Sequence, residues 1–263
     1  MSAGTIVIDT HGMDWEVNDG IPGGQMKVLE RSGDGWPSVL VNWLPAGLGG
    51  PPHRHYHRSV REHGLVLDGE LPMAEYEALD DEPGFEMLFR TGIYMDRGPG
   101  CIHGLDPTQS AATGFTILEW RTGPGTYLTE ELAAEESIVE DAPATTAPMP
   151  VGPPGVVIER DDLRLLDTRE LPWESPGSRA GIRRKPLSPP LEGCPAVDIV
   201  WLGPGEEESL GSASHEAARV YILDGALALE GGPRLGPGFF MAAPAGTDVT
   251  ATADVTGCTL LSF

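Results

Sequence analysis

The sequence has few basic residues for its length. Lys and Arg total 17 against 40 Asp and Glu, which gives a formal net charge of −23 over 263 residues. A surface this acidic repels phosphate backbones and anionic lipid headgroups. The charge therefore argues against nucleic-acid binding and against binding at a membrane surface.

Cysteine and long apolar runs are also scarce. The three cysteines, Cys101, Cys194 and Cys258, are too few and too scattered for a disulfide framework or a thiolate zinc site. No run approaches the roughly 18 apolar residues of a membrane span. Residues 1–9 have neither the basic start nor the apolar stretch of a secretory signal. We therefore expect a cytoplasmic protein.

The composition that is present favours short strands. There are 35 glycines and 25 prolines, and 40% of the residues are apolar, which is enough for a core broken by many turns. Residues 39–43 and 197–201 alternate with period two, as half-buried strands do. Asp68-Gly69 and Asp224-Gly225 each follow an apolar run, and this pattern predicts two hairpin turns. We expect an all-β protein.

The chain repeats itself once. A constant shift of 158 superimposes Asp-Thr, Trp-Glu, Lys-x-Leu and Trp-Leu pairs of the first copy, from Asp9 to Gly47, on those of the second. Smaller shifts of 156 and 146 continue the match to Gly100. Two copies indicate two similar domains, since a solenoid needs at least about three repeats.

A different composition separates the copies. Thr129 could cap a short acidic helix, and residues 142–155 form a Pro/Ala/Gly linker. The predicted boundaries are therefore 1–128 for the first domain, 129–156 for the helix and linker, and 157–263 for the second domain.

Histidine is rare but concentrated. Five of the seven histidines fall between positions 53 and 103. His55 and His57 are two residues apart, so on a strand both rings face one side, about 7 Å apart. Glu62 begins the return strand and can reach the same face, and His103 comes from a later strand. Three imidazoles and one carboxylate leave positions open on a divalent ion, as catalytic sites require.

Two neighbouring histidines have other predicted roles. His53 shares strand parity with His55 and His57 and could be a further ligand. The preceding Pro51-Pro52 favours a place at the rim, where it would support the ligands. His63 should face the opposite side of its strand from Glu62 and serve packing or the surface.

The spacing Gly49-x5-His55-x-His57-x4-Glu62-x6-Gly69, followed by Gly100-x-x-His103, resembles the two signature motifs of the cupin superfamily. The second motif departs from the usual pattern, with Gly98 in place of Pro and Pro107 in place of Asn. The resemblance implies two tandem cupin barrels (double-stranded β-helix, jelly-roll), a bicupin with the ion in the first barrel mouth. It also implies a homodimer.

The opening Asp-Thr…Trp-Glu…Gly…Lys-x-Leu segment resembles cupins grouped with ChrR-type anti-sigma factors and acetylacetone dioxygenase. Arg54-His55-Tyr56-His57, His63-Gly64 and Gly69-x5-Glu75-Tyr76 are similar to 2,4'-dihydroxyacetophenone dioxygenase. In that comparison the carboxylate near the metal is Glu75, so Glu62 and Glu75 are rival ligands, with Glu75 also a candidate pocket acid.

The second copy lacks the ligand set. The positions opposite His55, His57, Glu62 and His103 are Gly211, Ala213, Ala218 and Val249. The second barrel is therefore expected to bind no metal.

The resemblance implies three classes of function. The first is a metal-dependent dioxygenase for a small enolisable ketone or phenol, with Fe(II) favoured and Zn(II), Mn(II) or Ni(II) as alternatives. The second is a redox-neutral isomerase, cyclase or lyase. The third is a non-enzymatic metal or ligand sensor of the ChrR kind.

Overall fold

The computed structural model describes residues 4–18, 21, 23–48, 55–76, 85–105, 110–123, 128–129, 154–160, 162–177, 179–191, 194–210 and 217–263. Regular structure there is almost entirely β, and the helical residues in these ranges form a single 3₁₀ turn, Thr10–Gly12. No helix in the described part is long and apolar enough to cross a membrane.

Twenty strands make up the described structure. The first eleven are β1 Ile6–Asp9, β2 Glu16–Val17, β3 Gln25–Arg31, β4 Pro37–Leu44, β5 His55–Tyr56, β6 Glu62–Tyr76, β7 Phe85–Arg90, β8 Ile93–Arg97, β9 Ile102–Leu105, β10 Phe115–Arg121 and β11 Leu128–Thr129. The others are β12 Val156–Arg160, β13 Leu163–Asp167, β14 Ile182–Ser188, β15 Val197–Leu202, β16 Glu207–Ser209, β17 Ala218–Leu229, β18 Arg234–Leu235, β19 Phe239–Ala243 and β20 Thr250–Ser262.

The strands form two compact units. One comprises Met1–Asp14 and Pro172–Phe263, and the other comprises Trp15–Leu171. Their antiparallel sheets have eight and twelve strands. The predicted domain boundaries at 128 and 157 separate the two copies in the sequence, and they stay a prediction. Thr129 lies in strand β11, and the predicted helix and most of the linker lie outside the described residues.

Each copy contributes one N-terminal strand, its entry strand, to the sheet of the other copy. Strand β1 pairs with β19, with Ile6 opposite Ala242, and β13 pairs with β8, with Arg164 opposite Asp96. These partners are related by the same shifts of 158 and 146 that relate the two sequences. A threonine follows each of these two entry strands and makes the same contact. The Thr10 hydroxyl donates to the carbonyl of Gly238 at 2.6 Å, and the Thr168 hydroxyl donates to that of Gly92 at 2.7 Å. This reciprocal exchange supports the duplication.

The duplicated Trp and Lys residues form the same contact in both units. Lys27 Nζ lies 4.3 Å from the ring centre of Trp15, and Lys185 Nζ lies 4.6 Å from that of Trp173. Both lysines are buried, and both indoles are about two-fifths exposed. The indole faces therefore stabilise two ammonium groups that the sheets largely remove from water.

The predicted hairpin turns at Asp68-Gly69 and Asp224-Gly225 are wrong. Strands β6 and β17 continue without a break through these positions, where their pairing register with β10 and β20 shifts. Each glycine has a positive φ, +82° at Gly69 and +72° at Gly225. The Asp-Gly pair therefore forms a bulge inside a long bent strand, where glycine permits the left-handed backbone.

The bulge glycines generate a stability prediction. A Cβ at Gly69 would overlap the carbonyl oxygen of Gly114, whereas Gly47, also at positive φ, has nothing within 4 Å of its Cβ position. We expect Gly69→Ala to lower the free energy of unfolding by more than about 3 kcal/mol, since it adds an overlap to the roughly 1–2 kcal/mol of left-handed strain expected for Gly47→Ala. Chemical denaturation measures both.

The second copy supplies a matched pair. Gly225→Ala should be as damaging as Gly69→Ala, because its Cβ would overlap Gly257, and Gly205→Ala should resemble Gly47→Ala. Equal losses for the bulge and the open positions would contradict this account.

Candidate metal site and cavity

The strand order places His55, His103 and Glu75 side by side. His103 on β9 is directly opposite His55 on β5 and directly opposite Glu75 on β6. Directly opposite residues of antiparallel strands project to the same face of the sheet. All three side chains therefore belong to one face of the barrel wall.

Three imidazoles converge on one point. One nitrogen from each of His55, His57 and His103 lies within 4.8 Å of the other two, and no other set of three potential ligand residues in the described ranges is as close. The ring centres of His55 and His103 are 4.2 Å apart. His57 and His103 are buried. His57 and His103 must be close together to share one ion, and both rings lie on the same side of the sheet.

The hydrogen bonding of His103 fits a metal ligand. Its Nδ1 lies 3.0 Å from the carbonyl oxygen of Cys101, which can only accept, so Nδ1 carries the proton. Nε2 points to the other side, where Glu62 Oε2 is 3.4 Å away. Because Nδ1 is occupied by its hydrogen bond, Nε2 is the nitrogen left to bind an ion. The donor set therefore suits a divalent ion.

Glu62 is the carboxylate that faces the imidazoles. Its Oε1 is 3.8 Å from His57 Nε2, in addition to the Oε2 contact with His103. Arg121 holds Oε1 at 3.0 Å, and Arg97 lies 3.5 Å from Oε2. Burial alone would raise the pKa of Glu62, but Arg121 and the two imidazoles outweigh it and hold the pKa well below its usual range. Glu62 is therefore ionised and available as a ligand.

Glu75 has different partners. Its Oε1 accepts from Arg97, at 2.6 Å from Nη2 and 3.2 Å from Nε, and its Oε2 accepts from the thiol of Cys101 at 3.7 Å. The contacts described for Glu75 include none with an imidazole. The geometry thus favours Glu62 over Glu75 as the fourth ligand, and Glu75 orients Arg97. His53 lies outside the described residues.

His63 faces away from this cluster, as its position next to Glu62 predicts. It is 1% exposed, its ring stacks on Trp120 with centres 5.2 Å apart, and Nδ1 lies 3.0 Å from the Tyr94 hydroxyl. Burial lowers its pKa to about 4, although Asp96 opposes the shift. His63 is a packing residue of the barrel wall.

A cavity of about 200 Å³ opens beside the imidazoles. Most of its lining is apolar and is provided by Ile21, Leu44, Leu48, Leu71, Met73, Phe89, Met95, Leu105, Phe115 and Ile117. The remaining lining is provided by His55, His103, Gly104, Asn42 and four charged residues, Glu62, Arg97, Glu119 and Arg121. A ligand here would have a polar end and an apolar body.

Sequence reasoning missed Glu119, Arg121, Arg97 and Asn42. Glu119 Oε2 accepts from Asn42 Nδ2 at 2.5 Å and from Arg121 Nη2 at 3.2 Å. Burial raises the pKa of Glu119 to about 7, against the opposing effect of Arg121.

The repeat contained the signal for these residues. The shifts that relate the copies align Val200 with Asn42 and Ala243 with Arg97. Val200 and Ala243 lie in the apolar core of the other unit. Val249, opposite His103, is also a core residue there. At each of these positions a polar residue of one copy aligns with an apolar residue of the other. The fold itself therefore does not require the polar residue.

Comparison with known proteins gives the fold. No protein-family model and no curated protein matches the chain. A candidate dioxygenase from Nostoc punctiforme superposes with a TM-score of 0.68 and 14% identity, covering 98% of this chain and 81% of that one. Oxalate decarboxylase from Lactobacillus farciminis gives 0.60 and 13%, covering 100% and 86%. The chain has the two-barrel cupin fold.

A third relative in structure carries a metal. HEPD from Streptomyces albus, solved with 2-hydroxyethylphosphonate and Fe(II), gives a TM-score of 0.59 and 13% identity, covering 98% of this chain and 75% of that one. At these identities the likeness concerns the fold. The chemistry has to be argued from the residues of this chain.

The contacts of the two rival carboxylates generate a prediction. We expect Glu62→Gln to weaken Fe(II) or Zn(II) affinity at least about tenfold, because it removes the charge that faces two imidazoles. Glu75→Gln should lower stability by freeing Arg97 but change metal affinity less. Metal titration of both variants measures this, and a larger loss in Glu75→Gln would reverse the assignment.

The buried His63 generates a pH prediction. Its folded pKa of about 4 lies below the unfolded value of 6.5, so the unfolded state binds more protons between these limits. The free energy of unfolding should therefore fall as the pH drops from 6.5 to 4, by on the order of 3 kcal/mol from this group. His63→Gln should flatten the profile in that window, and an unchanged profile would assign the effect to other groups.

Proposed function

We propose that this chain is a non-haem, divalent-metal-dependent dioxygenase that acts on a small enolisable ketone or phenolic compound. The observation that carries the proposal is the convergence of His55, His57, His103 and the ionised Glu62 at the polar end of an apolar cavity. Four such ligands leave two positions of an octahedral ion for other molecules. The dioxygenase-like and Fe(II)-bound relatives in structure favour this class and favour iron.

The residues of the chain have distinct roles in this proposal. His55, His57, His103 and Glu62 would hold the ion, which supplies a Lewis acid and a redox centre when bound. Arg121 fixes the orientation of Glu62 through Oε1. The apolar wall offers water few hydrogen-bond partners, and a cavity that holds little water strengthens the electrostatic interactions within it.

The charge of the site favours an anionic substrate. Glu62, Glu75 and Glu119 carry three negative charges when ionised, and Arg97 and Arg121 carry two positive charges. A divalent ion brings this buried group to a net charge of +1. A singly deprotonated enolate or phenolate would restore neutrality, which a low-dielectric site strongly favours.

The cavity volume limits the size of the substrate. A cavity of about 150 Å³ is known to admit benzene, so about 200 Å³ suits one ring or a short diketone. A three-ring flavonol exceeds this volume. Acetylacetone and hydroxyacetophenones are therefore the compounds to test.

The test begins with metal analysis. In protein purified anaerobically, we expect about one Fe(II) per chain and at least a tenfold lower metal content in His57→Ala and His103→Ala. The exposed His11 provides a control, and His11→Ala should keep the metal. Retention of metal by His57→Ala would contradict the proposed ligand set.

Oxygen uptake then tests the reaction. The iron-loaded protein should consume O₂ in the presence of a β-diketone or a hydroxyacetophenone, and His57→Ala should not. Absence of uptake with either compound, in protein that holds iron, would remove the support for a dioxygenase.

A redox-neutral isomerase or lyase is the second candidate. The observation in its favour is Glu119, a cavity carboxylate whose pKa of about 7 suits it to take and return a proton near neutral pH. Anaerobic turnover by the Zn(II) or Ni(II) form, with no O₂ requirement, would favour this class over the dioxygenase.

A further inference from the structure

Glu119 lines the cavity, and its hydrogen bonds from the described residues reach only one of its two oxygens. The hydrogen bonds of this carboxylate, from Asn42 and Arg121, both end on Oε2. Within the described part of the chain no donor reaches Oε1. The side chain keeps 12% of its surface accessible, and it lines the cavity. Oε1 is thus positioned to accept a hydrogen bond from a ligand.

The carboxylate is fixed in this orientation. Asn42 Nδ2 lies 2.5 Å from Oε2, and the Asn42 amide is itself oriented by Asn18, whose Nδ2 donates to Asn42 Oδ1 at 3.0 Å. Arg121 supplies the second donor to Oε2. Two donors on one oxygen keep the other oxygen turned away from them, and such preorganisation is typical of binding groups.

Glu119 lies close to the proposed metal ligand Glu62. Both carboxylates contact the same nitrogen of Arg121, Glu62 at 3.0 Å and Glu119 at 3.2 Å. Glu62 Oε1 and Glu119 Oε2 are each about 3 Å from this nitrogen, so a small ligand with two closely spaced oxygen atoms can reach both the metal site and Glu119.

The second copy shows that the fold does not require Glu119 and Asn42. Ser262 pairs with Val220 and Asp198 in the way that Glu119 pairs with Gly64 and Leu40 on the corresponding strands. Val200 takes the place of Asn42 and packs in an apolar core. A buried carboxylate with a raised pKa costs stability, so its presence in only one barrel points to binding.

We propose that Glu119, held by Asn42 and Arg121, recognises a hydroxyl group of the substrate next to the oxygen that the metal site binds. The proposal rests on the proposed function and narrows its substrate class to small α- or β-hydroxy carbonyl compounds and enols with an apolar body of about one ring. The hydroxyl donates to Glu119 Oε1, and the body lies against the apolar wall.

A matched ligand pair tests the proposal. The full chain is loaded with Zn(II), which avoids oxidation, and binding of 2-hydroxyacetophenone and 2-methoxyacetophenone is measured by calorimetry. The two ligands share the ring and the carbonyl, but only the first can donate. We expect at least about tenfold tighter binding of the hydroxy compound, because the methoxy compound leaves a buried acceptor unpaired.

Glu119→Gln should abolish this preference. The amide oxygen will accept from Asn42 and Arg121, which turns the NH₂ group toward the cavity and replaces the acceptor by a donor. The affinity ratio should then fall to about one or invert, with unchanged zinc stoichiometry. Asn42→Val, which installs the residue of the second copy, should reduce the ratio and serves if Glu119→Gln does not fold. Glu86→Gln, outside the cavity, should keep the ratio.

The outcomes separate this proposal from the proposed function. If the zinc-loaded protein does not distinguish the two ligands, or binds neither at 1 mM, the role of Glu119 is overturned while the metal site stands. A preference that survives in both Glu119→Gln and Asn42→Val also overturns it. If zinc does not bind with the expected stoichiometry, the proposed function fails first.

Discussion

The contact between Glu62 and the imidazoles is the constraint on which the site depends. His103 donates through Nδ1 and turns Nε2 toward a carboxylate oxygen 3.4 Å away, inside a barrel where water provides little screening. Arg121 and Arg97 stabilise the negative charge of Glu62 from 3.0 and 3.5 Å. The cluster is consistent with a cation at its centre, and the arginines keep the carboxylate ionised for it.

The duplicated barrel separates the residues of the fold from those of the site. The bulge glycines, the reciprocal entry strands and the Trp–Lys contacts occur in both copies, so they belong to the architecture. The charged cluster that lines the cavity occurs in one copy. Replacement of buried ion pairs by apolar residues is often neutral or stabilising, so the apolar core of the second barrel is the arrangement that stability alone would favour. The charges of the first barrel need a functional reason.

The motif resemblance predicted the barrel fold, and strand parity predicted that His55 and His57 share one face. The structure brings these two rings together with His103. Sequence reasoning failed at Asp68-Gly69, since a local Asp-Gly signal is the same for a hairpin turn and for a bulge. The choice depends on the pairing of β6 with β10, a contact between distant residues. Glu119 was missed for a related reason: one acidic residue in a strand is usually solvated, and only its place on the cavity wall makes it significant.

The entry strands explain why a barrel without metal ligands remains part of the molecule. Strand β13 of the second copy completes the sheet that contains β8, and β8 carries Arg97, which contacts both Glu62 and Glu75. Strand β1 of the first copy completes the sheet that contains β19. Neither copy can therefore build a full sheet from its own strands. Removal of β13 would expose the edge of β8, the strand that carries Arg97 and through it contacts both carboxylates.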